Sequence, residues 1–206
     1  MKTGKGPRSV LYLVILAFGF WFVSFYLNPY NFWLEMSSAV FILAGLSLSG
    51  WTGYEQLTDW SGRNILLGVV SALGLYGIFW IGNFVVTRLI PFAEAEIAAV
   101  YSNSGSALMA VIGTLLVTVI GPGEEIFWRG TVQQSLEDKY GGLTGLFAGA
   151  VLYSLVHIWA LNLTLLVAAF VCGIVWGWMY YRENNLAPLI VSHSLWSLLI
   201  FVIFPV

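Results

Sequence analysis

The chain has 206 residues, of which 59 % are hydrophobic and only 9 % charged, with a mean hydropathy of +0.86 and a formal net charge of −2. Soluble domains carry about 25 % charged residues, so composition excludes a soluble globular enzyme and a basic nucleic-acid binder, and it requires an integral membrane protein. The single cysteine, Cys172, lies in an apolar stretch, cannot form an intrachain disulfide and reads as a small packed side chain.

A bilayer crossing needs about 20 apolar residues. The first predicted span covers residues 9–27. The basic opening MKTGKGPR before it has the charge of a signal peptide. The apolar run is too long for one, and no small-residue cleavage site follows, so it reads as an uncleaved span. The second span, 33–50, carries Glu35 near its start, read as interfacial. The third, 65–89, contains Asn83, read as an interhelical hydrogen bond. Long connections lie at 51–64 and 91–105, and PFAEAEIAAVYSNSGS predicts a short interfacial helix in the second of them. Spans at 106–129, 143–160, 162–181 and 186–205 complete the series. The expectation is an all-α, polytopic transmembrane bundle of about seven spans, with residues 1–206 forming one membrane domain.

Lys2, Lys5, Arg8, Arg63, Lys139 and Arg182 fall on one side of this arrangement, which predicts a cytoplasmic N-terminus. Trp51, Trp60, Trp159 and Tyr180 sit near span ends and read as an aromatic belt. Gly145–Gly149 and Gly173–Gly177 have GxxxG spacing, which lets helices approach closely.

Residues 121–130 read GPGEEIFWRG, an unusual sequence for lipid. A carboxylate at the bilayer centre costs about 2.5–3.5 kcal/mol on insertion scales. Arg129 follows Glu125 by four residues and shares its helical face. Glu124 points about 100° away and needs another partner. Glu124 lies 17 residues before Gly141, and His157 lies 16 residues after it. A helical hairpin turning near Tyr140–Gly142 would bring both to the same depth, about 25 Å from the turn. This requires the fourth helix to run past Pro122 to about Asp138, with a kink at the proline. His193 lies on the last span, eight residues beyond Asn185, at a depth the spacing leaves open. Two glutamates and two histidines that converge from three helices suit hydrolysis by a general base, a zinc set or a proton relay.

Glu124-Glu125-Ile126-Phe127-Trp128-Arg129 resembles the EExxxR motif of the CPBP (Abi) family. That family takes in type II CAAX prenyl endopeptidases and bacteriocin-processing and self-immunity proteins. Tyr153-Ser154-Leu155-Val156-His157 is similar to its FxxxH motif, with tyrosine for phenylalanine. His193-Ser194-Leu195-Trp196-Ser197 is similar to its HxxxN or HxxxD motif, with serine for the amide or acid. The likeness covers residues 105–206. It implies an intramembrane glutamic endopeptidase of a multi-pass cell-membrane protein, acting without a cofactor on a membrane-associated protein or peptide. Glu124 would activate water, His157 would position it, and His193 would donate to the oxyanion. Ser197, one turn on, donates a hydrogen bond but is shorter than asparagine. Glu125, Arg129 and Tyr153 would support the site. A non-catalytic immunity or scaffold protein, a zinc-dependent protease and a proton-coupled transporter are the competing readings.

Overall fold

The computed structural model describes residues 7–49, 59–102 and 108–206, with side chains from Val10 onward. Lys2, Lys5, Trp51 and the side chain of Arg8 lie outside the described residues. Among the described residues there are eight helices and no strand. They are α1 (Pro7–Trp21, continued as a π-helical Phe22–Leu27), α2 (Phe32–Leu48), α3 (Gly62–Leu89), α4 (Ala93–Ser102), α5 (Met109–Tyr140), α6 (Gly142–Ala160), α7 (Leu163–Glu183) and α8 (Ala187–Ile203). The Val10–Leu27 run, α3, α5, α6 and α7 are long and apolar enough to cross a bilayer, whereas α2 and α8 are shorter apolar helices. The chain is a multi-pass, all-α membrane protein, and α4 is the short helix read between the third and fourth spans.

Local chemistry sets the helix ends. Asn31 accepts from the amides of Trp33 and Leu34 at the start of α2, and Asn162 accepts from the amide of Leu165 at the start of α7. Each cap supplies an acceptor to amides that have no partner within the helix. Gly141, with φ +90°, makes the turn between α5 and α6. A residue with a Cβ would be strained there.

Helix α5 is the central element: half of its most apolar window is buried inside the bundle, against 17 % for α3. It runs through Pro122 without ending. Proline lacks an N–H and clashes with the carbonyl four residues back. Here the turn before it is π-helical, Leu116–Ile120, with the Gly121 amide on the Leu116 carbonyl. A second π-helical stretch, Trp128–Gln133, follows Gly121–Phe127. The two glutamates therefore sit on a short α-helical segment between two widened turns, a feature common at functional sites.

Glycines allow the close packing around α5. A Cβ on Gly123 would overlap Val40 of α2, and one on Gly145 would overlap the backbone of Glu137. The GxxxG glycines are used on two different contacts: Gly145 and Gly149 face α5, while Gly173 packs on Ala150 of α6. Two expectations are corrected. Asn83 makes no interhelical side-chain bond among the described residues and instead lines an apolar groove. Tyr180 is no belt residue: it is buried and its hydroxyl donates to Gln134 at 3.1 Å. Trp60 is exposed, as an anchor would be.

Helix α4 is strapped across α7 and α8 by polar contacts. The Glu96 carboxylate accepts from the amides of Leu163 (3.1 Å) and Thr164 (2.7 Å) and from the Thr164 hydroxyl (2.6 Å). Asn162 donates to the Glu96 carbonyl at 2.7 Å. The Tyr101 hydroxyl donates to the Ile200 carbonyl and accepts from the Val206 amide. Burial disfavours ionisation of Glu96, but the bonds from the Thr164 hydroxyl and the Thr164 and Leu163 amides outweigh it and hold its pKa below the ordinary value.

Two outcomes follow from these contacts. Gly123→Ala should lower stability in detergent by about 1–3 kcal/mol, and Val40→Ala in the same chain should return part of the loss, read as coupling in a double-mutant cycle. A carboxylate with a depressed folded pKa stabilises above its unfolded value of about 4.3 and loses that contribution as pH falls through the folded value. The gap in thermal unfolding midpoint between wild type and Glu96→Gln should therefore be largest near neutral pH and close at acid pH.

Candidate active site

The segment Gly121–Phe127 of α5 presents two carboxylates in opposite surroundings. Glu125 is fully buried. Its Oε1 accepts from Arg129 Nη1 at 3.0 Å, the i,i+4 pair read from sequence, and from His193 Nδ1 of α8 at 2.7 Å. Arg129 also lies over the rings of Tyr153, at 4.4 Å, and Trp176, at 5.3 Å. These cation–π contacts offset some of its desolvation. Glu125 Oε2 and Arg129 Nη2 are buried without a hydrogen-bond partner among the described residues.

Glu124 is held differently. Its Oε2 accepts a 2.9 Å bond from the Tyr153 hydroxyl of α6. It lines a cavity of about 120 Å³ together with Tyr153, His157, Cys172, His193 and Ser197. Phe25, Trp33, Trp196 and Phe201 supply apolar wall. The four residues expected to be catalytic thus share one cavity, while Glu125 and Arg129 stand behind it. The hairpin at Gly141 brings Glu124 and the His157 region together, and α8 brings His193 to the level of the glutamates. The sequence had left that depth open.

The ring nitrogens can be assigned from their partners. His193 Nδ1 faces a carboxylate, which only accepts, so Nδ1 carries a hydrogen. Nε2 is then the nitrogen without a partner among the described residues. The ring stacks on Trp176 at 3.9 Å with an interplanar angle of 16°. Trp176 is itself tied through its indole nitrogen to Ser192 at 3.0 Å, and Ser192 to Ser71 at 3.1 Å. His157 Nδ1 faces the Tyr153 carbonyl at 2.8 Å and so carries its hydrogen there, while Nε2 accepts from the Trp21 indole at 3.3 Å. His157 therefore presents no free hydrogen to the cavity. Ser197, on the α8 turn after His193, is buried at the cavity wall without a side-chain hydrogen bond among the described residues. No three histidine, cysteine or carboxylate side chains converge with metal-ligand geometry among the described residues.

Sequence reasoning missed Trp21 and Trp176, because an apolar aromatic in a span carries no mark of what it faces. It treated Tyr153 as a kept aromatic ring. The signal for more was the hydroxyl itself, a polar atom on a buried helix face opposite a glutamate. A second space of about 200 Å³, almost wholly apolar, lies beside the cavity between α3, α4, α7 and α8. It shares Val100, Leu165, Ala168, Trp196 and Phe201 with the cavity wall.

Glu125→Gln leaves the buried Arg129 without its counter-charge. Breaking such a pair costs about 3–5 kcal/mol. Its unfolding midpoint in detergent should fall well below that of Glu124→Gln, whose neutral amide still accepts from Tyr153. Equal stability of the two variants would remove the structural role of the pair.

Residues 104–199 match a family model described as Rce1-like, type II CAAX prenyl endopeptidase Rce1-like. The matched segment contains all three motifs. No curated protein matches the chain, and no solved structure does.

Proposed function

We propose, from the match of residues 104–199 to the Rce1-like model of type II CAAX prenyl endopeptidases, that this chain is a glutamic intramembrane endopeptidase of the cell membrane. Its substrate is a membrane-associated protein or peptide, and Glu124 is its general base. One observation carries this reading. Of two adjacent buried glutamates, Glu125 is locked to Arg129 and His193, while Glu124 faces a cavity shared with both histidines and Ser197. A charge kept in a membrane bundle at that cost marks function.

The chemistry follows from the donors and acceptors. Glu124 takes a proton from a water in the cavity as the water oxygen attacks the scissile carbonyl carbon. His157 Nε2 gives up its long bond from Trp21 and accepts the water's other hydrogen, which fixes the direction of attack. The carbonyl oxygen becomes an oxyanion, which His193 meets with a hydrogen on Nε2 in its imidazolium form. Glu124 then returns the proton to the leaving nitrogen, the C–N bond breaks, and a carboxylate and an amine depart. The apolar wall excludes bulk water, so the few polar groups act in a low dielectric.

The test compares membrane peptides from cells making the wild type with those from cells making Glu124→Gln at equal abundance. Mass spectrometry should find chain ends that occur only with Glu124 present. A Glu124→Gln protein that generates the same ends would overturn the assignment of the base.

A further inference from the structure

We infer that the Tyr153 hydroxyl is a catalytic residue that donates to the oxyanion as Glu124 becomes protonated. This rests on the glutamic reading above. The developing oxyanion needs an N–H or O–H on the cavity wall. His157 has none to give, since Nδ1–H is on the Tyr153 carbonyl and Nε2 is an acceptor of the Trp21 indole. His193 has its certain hydrogen on Glu125 and donates from Nε2 only as the imidazolium. The indole nitrogen of Trp196 is covered. The Cys172 thiol is a weak donor. Beside the His193 imidazolium and the Trp33 indole, two hydroxyls line the cavity, those of Ser197 and Tyr153.

Tyr153 is the better fixed of the two. Arg129 lies over its ring at 4.4 Å, and its ring meets Trp128 and His157 edge-on with centroids 5.5 and 5.4 Å apart. Its hydroxyl is 2.9 Å from Glu124. That contact supplies the switch. While Glu124 is a carboxylate, it accepts the tyrosine hydrogen. Once Glu124 has taken the water's proton, its O–H can donate to the tyrosine oxygen, and the tyrosine hydrogen turns to the oxyanion. No net proton is gained or lost. When the intermediate collapses, the hydroxyl swings back to the carboxylate as the leaving nitrogen takes the proton. The donor is thus offered only when the oxyanion exists, which is the condition for selective stabilisation of the transition state.

The test uses the full chain in detergent and a quenched fluorescent peptide that spans the bond defined by the Glu124-dependent chain ends. Tyr153→Phe keeps the ring and its packing. It should lower kcat about 100-fold, the loss typical of one oxyanion donor, with KM within about threefold. Ser197→Asn in the Tyr153→Phe background places a longer donor on the same cavity wall and should return about tenfold of the lost kcat. A merely structural tyrosine would give a lower unfolding midpoint and no such rescue. Where Tyr153→Phe fails to accumulate, p-methylphenylalanine at position 153, of tyrosine's size but without a donor, takes its place. Glu124-dependent cleavage with kcat of the Tyr153→Phe protein within about threefold of wild type would overturn this inference alone. Cleavage that survives Glu124→Gln, or the absence of any Glu124-dependent chain end, would overturn the glutamic reading and this inference with it.

Discussion

The structure depends on one buried carboxylate oxygen. Glu125 Oε1 receives Arg129 from its own helix and His193 from α8. This atom ties the central helix to the last one at the depth where lipid would otherwise meet bare charge. The pair is unstable in isolation, because desolvation of two ions exceeds their attraction unless geometry and hydrogen bonds are right. The aromatic plates supply the remaining support: Trp176 carries the His193 ring, and the Tyr153 and Trp176 faces cover the guanidinium. The polar centre therefore follows from α5, α6, α7 and α8 closing on it together, and none of those helices can shift without disturbing it.

The two neighbouring glutamates show how one residue type takes two fates. A step of about 100° along the helix separates them. One turns into the α5–α8 contact and is spent on structure. The other turns toward α6 and the cavity, where it has a single neutral donor. Glu124, with one hydrogen bond and a cavity beside it, has acceptor capacity within reach of a water, whereas the unpaired Oε2 of Glu125 is buried away from the cavity. The π-helical stretch Leu116–Ile120 sets how this pair faces the bundle, since it changes the rotation of the residues that follow, and Trp128–Gln133 does the same for the rest of α5.

Much of this was legible in the sequence. The Glu125–Arg129 pair follows from helical spacing, and the hairpin at Gly141 follows from counting residues between Glu124 and His157. Both rest on helix geometry, which is regular. What was not legible rests on choices that regular geometry leaves open. The depth of His193 depends on how α8 starts, and Asn185 sets that start by accepting from the Ala187 amide and donating to Asp59. The role of Tyr180 could not be read, since an aromatic near a span end suits both a lipid interface and a buried bond to Gln134. Asn83 was assigned a partner by the general cost of polar groups in lipid, but its groove position has none among the described residues.

Trp21 bears on how the chain is divided. Its indole reaches His157 across 136 residues of sequence, and it lies outside the segment 104–199 that matches the family model. The matched segment holds Glu124, Tyr153, His157, His193 and Ser197, yet one of its histidines also accepts a hydrogen bond from the first helix. A chimaera that joined this C-terminal half to a foreign set of leading helices would inherit every motif and still lack the indole hydrogen that His157 Nε2 accepts. The hydrogen-bonded surroundings of the cavity therefore reach beyond the segment that sequence similarity detects.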